Sequence, residues 1–162
     1  NAVKPMNHYL QMNLDDALIL QVVEVRKIFE PQIAWMAACN RDKTDVKVLE
    51  TSISVLKKSD HHNSAHLGEI YQNFHLKICE ATKNPIIVLQ MDPILRLIPR
   101  IRTIVYSTVD AGLSETVEFH EQMFEAIRDQ DADRARETMM GYLVVTEEHC
   151  KDWNNNKQTI KY

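Results

Sequence analysis

Polar side chains occur on faces of the predicted helices that are otherwise apolar. His120 is the clearest example, because Val117, Phe124 and Ile127 are its neighbours at helical spacing. A buried imidazole needs a hydrogen-bond partner, since burying an unpaired polar group costs free energy. Two interpretations stay open for His120: a core histidine satisfied by a neighbouring group, which is the commoner case, and a ligand-binding histidine.

Three further side chains on two other predicted helices fit the same description. His75 follows Tyr71 by four residues, so both side chains lie on one face of a helix. Tyr142 lies between Met139 and Thr146 on the last predicted helix. A tyrosine ring can pack in a core while its hydroxyl group reaches a polar site. Amphipathic packing is the commoner explanation for these three residues, and a ligand role is the alternative.

Arg26 lies on the apolar stripe of the first predicted helix, beside Val22 and Phe29. A guanidinium keeps its charge when it is buried, so it needs an anionic partner. Glu30, four residues further along the same helix, could supply that partner. A ligand carboxylate held by two parallel hydrogen bonds is the alternative, and the sequence favours neither.

Motifs of several common catalytic sites are absent from the sequence. It contains no Gly-rich phosphate loop, no Gly-x-Ser-x-Gly turn, no His-Glu-x-x-His helix and no pair of Glu-x-x-His motifs. The sequence therefore favours a binding module over an enzyme. A metal-dependent helical-bundle enzyme and a purely structural helical adaptor remain as alternatives.

The composition predicts an all-α protein. The 162 residues include 3 Gly and 5 Pro, whereas strand-rich folds need many turns that consume both residue types. Apolar residues recur at steps of three and four, which is the spacing of amphipathic helices. Pro31 is expected to kink or divide the first helix, and Pro93 and Pro99 are expected to bend the fourth. The predicted fold is an antiparallel bundle of six or seven helices.

Charge and the two ends of the chain set further expectations. A net charge of −4 argues against strong nucleic-acid binding by this chain itself. No apolar run reaches the ~20 residues of a membrane helix, and the cysteines show no paired pattern, which favours a reducing cytoplasm. Residues 1–13 are expected to be a cloning remnant and a linker, and residues 154–162 a frayed tail.

Four segments, taken in order, resemble the C-terminal domain of FadR-subgroup regulators of the GntR family. They read EVRKIFEPQIAWMAA, YQNFHLKICEATKNPII, EFHEQMFEAIRDQDADRA and ETMMGYL. Each motif is loose, but their order and spacing are specific, and the match spans about residues 14–150. The resemblance implies that residues 14–153 form a helical effector-binding and dimerisation domain (the FCD type) that encloses a ligand pocket.

The resemblance also implies a set of site residues. Many members of the family hold a divalent metal with one Asp and three His, and a carboxylate effector joins that metal. By position, His75 and His120 match two of the histidines, whereas Tyr71 and Tyr142 replace the Asp and the last His. A phenol is a weak ligand beside carboxylate or imidazole. We therefore expect a degenerate zinc or nickel site at the two histidines, no certain cofactor, and direct binding of the effector.

Arg26 is the first expected anchor for an anionic group of the effector, and Arg100 is the second. The effector implied by the resemblance is an organic acid or an acyl compound. Its binding would change the arrangement of a homodimer and thereby the spacing of two N-terminal winged helix-turn-helix domains outside this chain. Operator DNA is an expected partner through those domains alone, and no membrane partner is expected.

Overall fold

The computed structural model describes residue 8 and residues 15–59, 64–106 and 113–159, which form helices and no strand. The elements are α1 (Asp16–Asn40), α2 (Lys43–Lys58), α3 (Ser64–Ala81), α4 (Pro85–Leu95), α5 (Ile98–Tyr106), α6 (Leu113–Arg128) and α7 (Ala132–Thr159). The prediction of an all-α fold with six or seven helices is confirmed. Apart from residue 8, the predicted leading segment 1–13 lies outside the described residues.

α1 is a single helix despite its internal proline. It begins after Asp15, whose side chain accepts a hydrogen bond from the backbone N–H of Leu18 at 2.8 Å and so caps the helix. Pro31 lies inside α1, so the predicted division of the first helix does not occur. Buried residues precede and follow the proline, and α1 packs extensively on α7. This packing outweighs the hydrogen bond that a proline removes.

The predicted fourth helix is in fact two helices. α4 ends at Leu95 and α5 begins at Ile98. Pro99 explains the break, because in a continuous helix its ring would clash with the carbonyl group of Leu95, four residues earlier. At the start of α5 its missing N–H removes no helical hydrogen bond. Pro93, in contrast, lies inside α4.

α7 continues beyond the point where fraying was predicted. The helix reaches Thr159, so the predicted tail 154–162 is helical through residue 159. Trp153 is partly buried against an apolar cluster formed with α1 and α5. Extending an anchored helix is inexpensive compared with nucleating a new one, so one packed aromatic residue can support the turns that follow it.

The described residues also bear on the expectations about membrane helices and cysteines. None of them is both long and apolar enough to cross a membrane. The three cysteines are free thiols, with Cys39 exposed and Cys79 and Cys150 buried.

The apolar core divides into two clusters. The larger draws side chains from all seven helices, among them Phe74, Leu95 and Met123. The smaller joins the start of α1, α5 and the end of α7, with Ile19, Val22, Val23, Leu97, Ile101, Val105 and Cys150. Along α1, Arg26 and Glu30 lie between the residues of the smaller cluster and those of the larger one. A buried polar region therefore separates two apolar ones.

α3 and α5 approach each other closely at Gly68. A Cβ atom at this position would lie 2.5 Å from the Cα of Pro99, so the contact requires glycine. Tyr71 and Arg102 each lie three residues further along their helices. The Cζ of Arg102 lies 4.4 Å from the centre of the Tyr71 ring. The close approach of the two backbones therefore positions two polar side chains of the core.

Candidate functional site

Five helices bring polar and aromatic side chains together in the centre of the bundle. We call these residues the central polar cluster: Arg26 and Glu30 from α1, Tyr71 and His75 from α3, Arg102 from α5, His120 from α6 and Tyr142 from α7. None of them is more than 6% exposed. Five of the six site residues predicted from the sequence belong to it, and the exception is Arg100.

Arg26 forms an ion pair with Glu30 inside the bundle. Its Nε donates to Glu30 Oε1 at 2.5 Å, and its Nη2 donates to Oε2 at 3.4 Å. Burial disfavours both charges, but each group stabilises the other. The pKa of Glu30 is therefore lowered to about 2, and the pKa of Arg26 is raised. The sequence left two partners open for Arg26, Glu30 and a ligand carboxylate. In the structure Arg26 is paired with Glu30.

His75 of α3 contacts this ion pair. Its Nδ1 lies 2.6 Å from Glu30 Oε2, which is within hydrogen-bonding distance although the angle is not that of an aligned hydrogen bond. Its Nε2 lies 3.5 Å from Arg26 Nη2. Burial lowers the pKa of His75 even though Glu30 opposes that shift. Because a guanidinium only donates, Nε2 of the neutral ring accepts and Nδ1 carries the proton that faces Glu30.

His120 is enclosed by other rings. Its ring centroid lies 4.7 Å from that of Tyr71, 4.9 Å from Tyr142, 5.0 Å from Phe74 and 5.3 Å from His75. Burial lowers the pKa of His120 well below its usual value, so the ring is neutral. Nδ1 lies 2.7 Å from the carbonyl oxygen of Thr116 and donates to it, which leaves Nε2 as an acceptor. That Nε2 has no hydrogen-bond partner among the described residues.

Tyr71 lies between His120 and Arg102. Its side chain is fully buried, with the Arg102 guanidinium over one face of the ring. Burial raises the pKa of Tyr71 to about 12, so the hydroxyl group stays protonated. Within the described part of the chain, this hydroxyl group also lacks a hydrogen-bond partner. The Tyr71 hydroxyl group and Nε2 of His120 are thus a donor and an acceptor that these residues do not satisfy, in addition to Nδ1 of His75, whose contact with Glu30 is not an aligned hydrogen bond.

Arg102, and not Arg100, is the arginine of α5 that reaches the cluster. Arg100 is exposed, which places the second anchor predicted from the sequence on the outer face of the helix. Arg102 is four residues after Ile98 and three before Val105, both of which are buried. That spacing was visible in the sequence and identifies Arg102 as an inward-facing residue. Arg102 therefore replaces Arg100 as the candidate anchor.

The central polar cluster does not fit a divalent metal. The described residues contain no group of three or more His, Cys, Asp or Glu side chains that could hold an ion. Nε2 of His75 faces the Arg26 guanidinium, which is a cation on the side from which a metal would have to approach. Tyr71 and Tyr142 supply phenols, which are weak ligands. The zinc or nickel ion expected at His75 and His120 is not supported by this set of donors.

Two transcriptional regulators are among the curated relatives of the chain. The galactonate operon transcriptional repressor of Escherichia coli (strain K12) is 24% identical over 143 residues, which cover 88% of this chain and 62% of that protein. The HTH-type transcriptional regulator LutR of Bacillus subtilis (strain 168) is 23% identical over 150 residues, which cover 90% and 67%. The chain thus spans 62% of the length of the first relative and 67% of the length of the second.

Two solved structures share the fold. Streptococcus agalactiae GntR superposes with a TM-score of 0.71 at 20% identity, covering 82% of this chain and 59% of that one. E. coli McbR/YncC superposes with a TM-score of 0.64 at 16% identity, covering 82% and 63%.

The model of the FCD domain family matches residues 21–144, a range that includes every residue of the central polar cluster. The curated relatives are transcription regulators and not enzymes. The chain therefore belongs to the FCD domain family, and its relatives are transcription regulators of the GntR family.

Proposed function

We propose that this chain binds a small carboxylate-bearing metabolite and transmits that signal within a transcription regulator of the GntR/FadR type. The central polar cluster carries the proposal. Burying two guanidinium groups, a carboxylate and two imidazoles costs desolvation free energy that an apolar filling of the same space would avoid. In a purely structural adaptor, nothing would offset that desolvation free energy. A mostly apolar site with a few convergent polar groups is instead typical of small-molecule recognition.

Two guanidinium groups make the cluster suitable for an acid. The contacts of Arg26 with Glu30 and His75 use its Nε and Nη2. A guanidinium has five N–H donors, so an existing partner does not prevent it from binding a carboxylate as well. Arg102 brings a second guanidinium beside Tyr71. One relative is named for the operon of galactonate, which is itself a carboxylate. We therefore propose an organic acid or an acidic acyl compound as the effector.

The position of the cluster suggests how binding would be transmitted. Its residues come from five helices, so a ligand among them favours one arrangement of those helices over another. Such a ligand shifts the equilibrium only by its difference in affinity for the two arrangements. In our proposal the shift alters the spacing of two N-terminal winged helix-turn-helix domains, and with it the affinity for paired operator half-sites in the cytoplasm.

We propose that the regulator is a homodimer and that an apolar face on α1 and α4 contributes to its interface. This α1–α4 face presents Ile28, Phe29, Ile86 and Leu89, each of which is more than half exposed. The first three line a groove of about 340 Å³ in which the only polar side chains are Gln32 and Gln90. Lack of charge is typical of the central part of homodimer interfaces, and exposed apolar patches mark association surfaces.

A ligand screen with two arginine variants tests the proposal. The purified chain is heated with a panel of organic acids, because a ligand that binds only the folded state raises the melting temperature. Affinities for each acid that binds are then measured by titration calorimetry for Arg102→Met and for the control Arg100→Met on the exposed face of the same helix.

We expect Arg102→Met to weaken acid binding by at least about tenfold, the equivalent of one charge-assisted hydrogen bond, and Arg100→Met to leave it unchanged. If no acid raises the melting temperature, carboxylate sensing by this chain is refuted. If the Arg102 variant binds as tightly as the parent, the anion site lies elsewhere.

A further inference from the structure

Two atoms of the central polar cluster have complementary hydrogen-bonding needs. Nε2 of His120 is an acceptor because Nδ1 of the same ring donates to the carbonyl oxygen of Thr116. The Tyr71 hydroxyl group is a donor that can also accept. Both side chains are completely buried, and neither atom has a partner among the residues that the structure describes. Buried polar atoms are usually satisfied, so two adjacent exceptions call for a partner.

Few chemical groups can satisfy both atoms. A carboxylate accepts from Tyr71 but has no proton to donate to His120. An ammonium group donates to His120, but it is disfavoured in a cluster that already contains the buried guanidinium groups of Arg26 and Arg102. A water molecule both donates and accepts, and a ligand hydroxyl group that displaces it makes the same two hydrogen bonds. The two rings are 4.7 Å apart between centroids, which favours a small group.

The order of the side chains places this pair next to a basic group. The Arg102 guanidinium packs on Tyr71, and Tyr71 packs on His120, so the three form a continuous row. An acid whose carboxylate is bound at Arg102 would carry its hydroxyl group close to the carboxylate, on one of the next carbons of the chain.

We infer that Tyr71 and His120 form a recognition pair for a hydroxyl group, and that the effector is a hydroxy acid. The ligand hydroxyl donates to Nε2 of His120 and accepts from the Tyr71 hydroxyl. This inference rests on the proposed function, since it specifies the class of acid that the site binds.

Matched pairs of acids test the inference. The probes are lactate with propionate, 3-hydroxybutyrate with butyrate, and gluconate with hexanoate, so that each pair differs only in hydroxyl groups. Binding of each probe to the parent chain and to Tyr71→Phe is measured by titration calorimetry. Ser52→Ala is the control, because Ser52 is also buried and its Oγ also lacks a partner among the described residues, but it lies on α2 outside the cluster.

We expect at least one hydroxy acid to bind about tenfold or more tighter than its unsubstituted partner, and Tyr71→Phe to abolish that preference while Ser52→Ala retains it. We also expect Tyr71→Phe to keep or raise the melting temperature of the ligand-free chain, because it removes an unsatisfied buried hydroxyl. A lower melting temperature with unchanged preference would show a structural role instead. In ¹⁵N spectra, the Nε2 resonance of His120 should move with the hydroxy acid and not with its partner.

The outcomes separate this inference from the proposed function. Equal binding of both members of every pair would overturn the hydroxyl pair and leave acid sensing intact. Preference for a hydroxy acid that survives Tyr71→Phe would also overturn the pair. Absence of binding by all six acids would count against the proposed function and the inference together.

Discussion

The buried ion pair between Arg26 and Glu30 is costly to break although it adds little net stability. Both side chains are at most 3% exposed, so each has lost nearly all contact with water. The attraction between two buried charges only roughly repays their desolvation, but removal of one partner leaves the other charge buried and unpaired. Because both charges lie on α1, the pair neutralises itself within one helix, and its energetic importance appears when one of the two partners is removed.

Replacement of Glu30 should reveal this cost. Glu30→Gln leaves the Arg26 charge buried without its carboxylate and is expected to lower the free energy of unfolding by about 3–5 kcal/mol. Urea denaturation measures the change. Glu24→Gln, at an exposed position of the same helix, is the control and should change stability by less than about 0.5 kcal/mol. Equal losses in the two variants would show that the ion pair is unimportant.

Acid should destabilise the fold through the same groups. The pKa of Glu30 is about 2 in the folded state against 4.5 ordinarily, so its contribution is complete above about pH 4.5 and is lost as the pH falls toward 2. The pKa values of His75 and His120 are also lowered, so below about 6.5 the unfolded state binds protons that the folded state does not. We expect the free energy of unfolding to fall steadily from pH 7 to pH 4 in urea titrations.

The Glu30→Gln variant distinguishes the two contributions. Its difference from the parent should shrink below about pH 4.5, because only the parent can then protonate this side chain. A difference that grows as the pH falls from 4.5 toward 2 would contradict the assignment.

Sequence reasoning identified most of the cluster but not its internal pairing. His75, His120, Tyr71 and Tyr142 were recognisable because they interrupt apolar stripes or match the family's motifs. The choice between Glu30 and a ligand as partner of Arg26 depended on side-chain orientation, which spacing alone does not determine. The sequence left it open for that reason.

At the level of the helices, the contact between α3 and α5 leaves no room for a side chain at residue 68. Gly68→Ala would bring a Cβ to 2.5 Å from the backbone of Pro99, so one helix must shift. We expect a loss of about 1–3 kcal/mol from overpacking, net of a gain of up to about 1 kcal/mol in helix propensity. Thermal denaturation measures this change.

Gly141→Ala is the matched control for the contact at Gly68. Its Cβ would lie 3.2 Å from a ring carbon of Phe119, and a side chain can move where a backbone cannot. Alanine there should be close to neutral. A neutral Gly68→Ala variant would mean that the two helices can separate without cost.

The prolines show what helical periodicity can and cannot predict. Pro31 and Pro99 are subject to the same local rule, since inside a continuous helix each would lack one hydrogen bond and crowd a carbonyl group one turn earlier. α1 continues through Pro31 because it is packed on both sides, whereas the chain breaks before Pro99. The periodic pattern predicted the helices, but tertiary packing decided which proline ends one.

At the scale of the whole molecule, the α1–α4 face predicts an association state. A Phe29→Asp, Ile86→Asp double variant places two charges on this face and should convert the proposed dimer to a monomer. Sedimentation velocity measures the mass. Val55→Asp, which alters a half-exposed apolar residue in a groove between α2 and α3, should leave the dimer intact. A parent chain that sediments as a monomer, or a double variant that stays dimeric, would exclude this face.

The smaller apolar cluster connects α5 with the beginning of α1. α5 carries Arg102, and its Ile101 and Val105 belong to the same apolar cluster as Ile19 and Val22 in the first turns of α1. Through this cluster, the nine-residue helix α5 connects the Arg102 guanidinium with the first turns of α1. We expect a ligand bound at that guanidinium to affect the first turns of α1 through the smaller cluster, and the larger core through Ile98.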